Sequence, residues 1–298
     1  MLVAALLFSI MGVGVKFSSS YFSTAEIVAW RGWIGVVLLF GFASWRKLPL
    51  QTRMPWTHLT RGAVGVCSLW LWYYAIAGMP LALAVTLNYL SPVWLVAIVL
   101  GLRWWRQGKL PHWGAPLAIL LGFVGVVCVL HPDAPQQYAH YAWIALISSF
   151  FAALAYLQVR QMGMAGEPEY RVVFYFSLSC ALAGSLVSLC YQERAALTLT
   201  GNAWLWLLLT GCSAAAAQVA MTRAYRLGNP IVAASLHYTG IIFSCGWDVL
   251  IWQAHPDLLS YIGIAIILLG GLLASYSNHR SSLEESHVSN PDRQRATR

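Results

Sequence analysis

The sequence predicts an all-α integral membrane protein, with ten transmembrane helices in two inverted five-helix repeats. Three observations carry that expectation: an apolar composition, ten apolar runs of membrane-spanning length, and a short phrase that occurs twice. Of the 298 residues, 59% are hydrophobic and only 9% charged, with a mean hydropathy of +0.64. A soluble domain carries about 25% charged residues, so this chain cannot clothe itself for water. Its 15 tryptophans and 14 tyrosines suit a protein with many membrane–water interfaces, where amphipathic rings sit at headgroup level.

A helix needs about 20 apolar residues to cross the hydrocarbon core, and the runs follow in order. Segment 1 (2–20) is N-terminal and apolar, as a signal peptide would be. It lacks a basic leading region and is longer than a usual signal core, so it reads as a first transmembrane helix. Segments 2 (26–44) and 3 (61–78) follow, the third holding "LWLWYYA". Gly78-Met79-Pro80 is turn chemistry before segment 4 (81–101), with Pro80 placed where a helix start tolerates a missing N–H. Segment 5 (114–131) ends at "HPDAPQQ", a polar connection to segments 6 (141–159) and 7 (171–190). Segment 8 (203–222) contains "SAAAAQ", a small-residue face suited to close packing. Gly228-Asn229-Pro230 introduces segment 9 (231–252), and segment 10 (257–276) completes the set. Residues 277–298 are polar and read as a disordered cytoplasmic tail.

Charge sets the orientation. With a cytoplasmic N-terminus, the inner loops and tail hold fifteen Lys and Arg residues, Arg61 among them, and the outer loops hold only Arg194. That positive-inside bias places both termini in the cytoplasm of a bacterial-type inner membrane. The net charge of +8 is thus a topology signal and no nucleic-acid groove. Six cysteines stand singly in apolar segments with no C-x-x-C or Cys/His cluster, so no metal or disulfide framework is expected. No H-E-x-x-H, G-x-S-x-G or P-loop pattern occurs, and no catalytic residues or cofactors are expected.

The repeated phrase is T-L-N-Y at Thr86–Tyr89 and S-L-H-Y at Ser235–Tyr238, half a chain apart. It aligns segments 1–5 with 6–10, and five being odd, the second copy enters the membrane upside down. Inverted repeats with binding near the midplane are a mark of secondary transporters. The sequence here resembles the EamA-type transporters of the drug/metabolite superfamily. The likeness rests on "EIVAWR" ending at Arg31, the Ala75–Pro80 turn, "TLNYLSPVWLVAIVLG" (86–101) and "AYRLGNPIVAASLHYTGIIFS" (224–244). It assigns one repeat to residues 1–131 and a second to 141–276. The second copy departs from the first, with Ile241 for Pro92 and Phe174 for Arg31. The resemblance implies a secondary transporter of small organic metabolites with a central cavity and alternating access. Export of an amino acid or related metabolite is the first expectation. Uptake of a nucleoside-like or flavin compound is the alternative, and a membrane enzyme a more remote one. The expected partners are a small-molecule substrate, protons as a candidate coupling ion, and the bilayer, around a monomer or weak homodimer.

Asn88 and His237 lie roughly 10–12 Å below opposite surfaces at 1.5 Å per residue, where polar groups are expensive and face the bundle interior. With Thr86, Tyr89, Ser235 and Tyr238 they are candidates for binding substrate, helix-to-helix hydrogen bonding being the alternative. Trp72 and Tyr73 form either an interfacial belt or an aromatic wall, and Gln218 is a candidate to point inward. Lys16, Glu26, Arg31 and Asp248 are the gating or coupling candidates. A Glu26–Lys16 contact is expected across the first hairpin, and Arg31 needs a partner or an anionic ligand. Asp248, four residues from its helix end, reads as a solvated acid, with a coupling carboxylate as the alternative.

Overall fold

A computed structural model of the chain describes residues 1–91, 136–190, 201–227, 236–254 and 257–288, with scattered positions between 93 and 128. Most of segment 5, part of segment 4 and the start of segment 9 lie outside these residues. The described elements are α1 (Leu2–Ser18), α2 (Thr24–Trp45), α3 (Pro55–Gly78), α4 (Leu81–Asn88), α5 (Ala139–Met164), α6 (Glu169–Cys190), α7 (Gly201–Leu227), α8 (Thr239–Trp252) and α9 (Leu258–Val288). A one-turn 3-10 helix, Gln136–Tyr138, leads into α5. No strand occurs among the described residues.

Among the described residues, four helices are long and apolar enough to cross a membrane: Thr24–Trp45, Ala139–Met164, Glu169–Cys190 and Gly201–Ala224. Leu2–Ser18, Thr239–Trp252 and Tyr261–Leu273 are shorter apolar helices. The outer faces are apolar although the core is apolar too. Val37, Phe40, Leu186 and Leu205 are exposed, while Arg31, Arg61, Asn88, His237 and Asp248 are buried. A protein whose outer solvent is lipid needs that arrangement, because the bilayer satisfies apolar surface and no polar group.

Local chemistry sets the helix ends. Ser23 caps α2: its Oγ accepts from the Glu26 N–H at 3.3 Å, and the Glu26 carboxylate accepts from the Ser23 N–H at 2.9 Å, a reciprocal capping box. The expected Glu26–Lys16 contact is therefore absent. Glu26 saturates orphan N–H groups of its own helix, while Lys16 turns elsewhere. The C-terminus of α2 closes with Lys47 at φ 53°. There the Leu48 N–H reaches the Ala43 carbonyl at 2.8 Å and the Lys47 N–H reaches that of Ser44 at 3.2 Å, a Schellman closure. At the other end of the chain α9 continues to Val288, so residues 277–288, expected to be disordered, are helical. Adding residues to an existing helix costs little, and neither Gly nor Pro intervenes before Pro291.

Helix 4 differs from its expected continuous run. It is helical from Leu81 to Asn88, then turns at Tyr89 and Leu90. A proline at position 92 has no N–H to offer the Asn88 carbonyl, as a continuing helix would require. Near the start of α8, Leu236 and His237 are helical, Tyr238 is a turn, and the helix resumes at Thr239. The two tyrosines of the repeated phrase thus mark interruptions in both of their helices.

The main packings are α2 on α6, α1 on α7, α3 on α5, α2 on α7, α3 on α6, α1 on α8, and α4 on both α8 and α5. The α2–α6 crossing is the closest. A side chain at Gly32 would run into the backbone of Ala181, and one at Gly184 into that of Ala29. Small residues on both helices let the backbones approach where dispersion, and no hydrophobic drive, holds helices together.

Candidate functional site

Helix α3 supplies one wall of a pocket. Arg61, Gly65, Ser68, Leu69 and Trp72 recur at helical spacing on one face, and all five line one pocket between the helices. From α4 come Asn88 and Tyr89, from α7 Gln218, and His237 enters from just before α8. Phe8, Tyr156 and Phe176 complete the aromatic part of the lining.

Polar groups on the α3–α5 side are held by reciprocal bonds. Ser68 Oγ donates to the Ser148 carbonyl at 3.0 Å, and Ser148 Oγ donates to the Ser68 carbonyl at 2.8 Å. The Asn88 amide then donates to Ser148 Oγ at 2.8 Å, so α3, α4 and α5 meet in one network. Asn88 thus joins helices and also lines the pocket. Opposite it, the His237 ring stacks on Tyr89 with centroids 4.4 Å apart and meets Phe8 edge-on at 6.1 Å. Neither His237 ring nitrogen has a hydrogen-bond partner among the described residues, and the same is true of Trp72 Nε1.

Five of the nine binding candidates therefore come together: Trp72, Asn88, Tyr89, Gln218 and His237. Tyr73 does not join them; its hydroxyl turns to Met11 Sδ at 3.2 Å in α1. Thr86 is fully buried away from the cavity, and Tyr238 packs against the Tyr89 ring at 6.0 Å. Ser235 lies outside the described residues.

The ionisable candidates fall at two levels. Asp248 is fully buried, which corrects its reading as a solvated acid. It accepts from the Leu81 N–H at 3.1 Å and the Ala82 N–H at 2.6 Å, capping α4 from α8. Free N–H groups at a helix start attract a carboxylate. Lys16 Nζ stands 3.8 Å from Asp248 and donates to the Met79 carbonyl at 3.1 Å. Deeper in, Arg31 lies behind the cavity, with Nη1 3.3 Å from Cys180 Sγ. Arg61, counted with the inner-loop charges from sequence, is buried instead. Because α3 begins at Pro55, six residues earlier, Arg61 stands inside the helix facing the cavity. Its spacing with Gly65, Ser68 and Trp72 is the signal that marks it.

Away from the cavity, Gly166 at φ 83° closes the α5–α6 turn and presents Glu167 inward. Glu167 accepts from Thr52 Oγ1 at 2.7 Å and from Arg171 at 3.1 Å, and His58 Nε2 lies 2.9 Å from its Oε1. Arg171 and Tyr170 also donate to the Pro49 carbonyl. Burial pushes the Glu167 carboxyl up, but bonds from His58 and Thr52 and the Arg171 charge outweigh it, leaving it below the usual carboxylate range. No group of metal-ligating residues occurs among those described.

A helical bundle with lipid-suited outer faces and a polar, aromatic pocket at interrupted helices is the arrangement of membrane carriers. The EamA-like transporter family matches residues 1–131 and 140–276, and the chain belongs to that family. It is 31% identical to the pseudopaline exporter CntI of Pseudomonas aeruginosa strain UCBPP-PA14, over 92% of this chain and 93% of that one. An uncharacterized transporter of Helicobacter pylori strain J99 shares 26% over 91% and 92%. The S-adenosylmethionine uptake transporter of Rickettsia felis shares 21% over 92% and 90%. A solved crystal structure aligns over 91% of this chain and 94% of its own with a TM-score of 0.65 at 20% identity, a likeness of fold. The family and the named relatives make the chain a secondary transporter of small metabolites.

Proposed function

We propose that this protein exports a small organic metabolite across a bacterial inner membrane by alternating access, with ten helices in two inverted halves and both termini inside. The observation that carries the reading is the meeting of Asn88 and His237, the matched positions of the repeated phrase, on one cavity. The pairing of helices supports the inverted halves. Exchanging α1 with α5, α2 with α6, α3 with α7 and α4 with α8 turns every principal packing into another principal packing or into itself. The same separation that relates Asn88 to His237, 149 residues, relates Arg31 to Cys180, which touch. It makes Cys180, rather than Phe174, the counterpart of Arg31. A two-fold axis through the α2–α6 crossing accounts for such contacts between equivalent residues.

Alternating access needs ties that release in turn. On one side the Lys16–Asp248 pair joins α1 and α8 above α4; on the other, Glu167 and Arg171 hold the Thr52 and Pro49 loop. We assign these as the outer and inner closures. Proton coupling, if it enters, has His237 as its candidate in the cavity. Export is favoured over uptake by the nearer likeness to the exporter, 31% against 21% for the uptake carrier. Metabolite profiles of cells with and without the protein decide direction. Export predicts that loss raises one metabolite inside and lowers it in the medium, and the reverse pattern assigns uptake.

A further inference from the structure

The unmet hydrogen-bonding capacity around the cavity is unequal in kind. Arg61 Nε, Arg61 Nη1 and Trp72 Nε1 are buried donors without an acceptor among the described residues. Arg61 is only 4% exposed, and Arg31, 3% exposed, lies behind it with its own Nε unpartnered. Both guanidinium groups lean on one ring, Phe176, at 4.2 Å for Arg61 and 5.1 Å for Arg31. Neither is in an ion pair: the pairs among the described residues join Lys16 to Asp248, and His58 and Arg171 to Glu167.

Two buried cations without a carboxylate are costly in a membrane interior. A ring face relieves part of that cost, but it leaves Arg61 Nε and Nη1 and Arg31 Nε unbonded among the described residues. Two guanidinium groups converging on one ring beside a cavity are therefore suited to an incoming anion. The space for the guanidinium is built in: a side chain at Gly65 would collide with Arg61 Nη1 and the Phe176 ring. Glycine one turn along α3 lets the arginine fold back along its own helix to the cavity wall. The lining beyond it is flat and aromatic, with Trp72 on one helix and the stacked His237–Tyr89 pair on others.

We propose that the transported metabolite is an organic acid carrying a planar ring. Its oxyanion group is received by Arg61, with Arg31 reinforcing the field. Its ring lies against Trp72 and the His237–Tyr89 stack. The proposal rests on the carrier reading and names the substrate class of that same cavity. A carboxylate and a phosphate ester present the same oxygen acceptors to a guanidinium, and the probes below separate them.

The test is thermal stabilisation of the purified full chain by indole-3-acetate, indoxyl phosphate, indole-3-acetamide and acetate. The expected result is saturable stabilisation by one or both ring-bearing anions, with the uncharged amide and ringless acetate far weaker. Whichever anion binds identifies the group as carboxylate or phosphate. Arg61→Gln should weaken binding at least about tenfold, the loss expected for a charge-assisted bond. Gly65→Ala keeps the charge while displacing Nη1, so it should weaken binding even if Arg61→Gln folds poorly. Arg61→Lys should recover part of the affinity.

Equal binding of acid and amide overturns the proposal, as does full affinity in both Arg61→Gln and Gly65→Ala, or no saturable effect from either anion. Flux in liposomes separates the two readings. Transport of other metabolites without anion binding removes this inference and leaves the carrier. Anion binding without flux of any metabolite removes the carrier and leaves the site.

Discussion

At the scale of single residues, burial and partner decide what an ionisable side chain does, and neither is written in its immediate neighbours. Asp248 stands near a helix end, where a carboxylate usually meets water. Its partners are the Leu81 and Ala82 N–H groups, 166 and more residues away. Arg61 likewise sits where positive-inside counting assigns it to a loop, yet its helix begins two turns earlier and carries it inward. Asn88 and His237 were legible because a polar side chain deep in an apolar run is driven to face a cavity or a neighbouring helix. Glu167 gives a test at this scale. Its folded carboxyl lies below the ordinary value of 4.5. The stabilisation is thus complete above that value and is lost as pH falls through the lowered folded one. Glu167→Gln should cost about 1–3 kcal/mol at neutral pH, the range for a buried group whose bonds are broken. The melting temperature of the wild type should fall more steeply between pH 5 and pH 3.5, at about the ordinary carboxylate range, than that of the variant. Parallel profiles for the two proteins would remove Glu167 as the inner closure.

At the scale of elements, apolar run length foretold the described helices, and Gly78-Met79-Pro80 foretold the connection from α3 to α4; the turn expected at 228–230 and most of that at 131–137 lie outside the described residues. The interruptions at Tyr89 and Tyr238 escaped, because an apolar run of spanning length gives no sign that it is two pieces. Pro92 was visible and is a sufficient cause for the first break. The second has Ile241 in its place, whose N–H instead reaches the Tyr238 carbonyl at 3.0 Å. The α2–α6 crossing is where element packing is tightest, and it lies between the proposed halves. Gly32→Leu places a branched side chain against the Ala181 backbone, which no rotamer avoids. Overpacking of this kind costs about 1–3 kcal/mol where neighbours can yield, and here the neighbour is backbone. Size-exclusion profiles and melting should show an unfolded or expanded variant. A Gly32→Leu protein with wild-type stability would show that the helices do not cross so closely.

At the scale of the whole molecule, composition and the repeated phrase by themselves pointed to a membrane carrier. The family match across both stretches of the chain agrees. The chemistry of the cavity was half legible: its aromatic and amide components stood out, while its positive charge was hidden among topology signals. The α3 face from Arg61 to Trp72 joins them, since a helix can carry one end at the membrane edge and the other at the cavity. The most direct measurement loads proteoliposomes of the full chain with buffer, bathes them in a cell extract and identifies by mass spectrometry what accumulates inside. The account predicts that at least one metabolite enters chemically unchanged, and that Asn88→Ala combined with His237→Ala reduces its entry at least tenfold. Entry of no metabolite, or equal entry through the double variant, would contradict it.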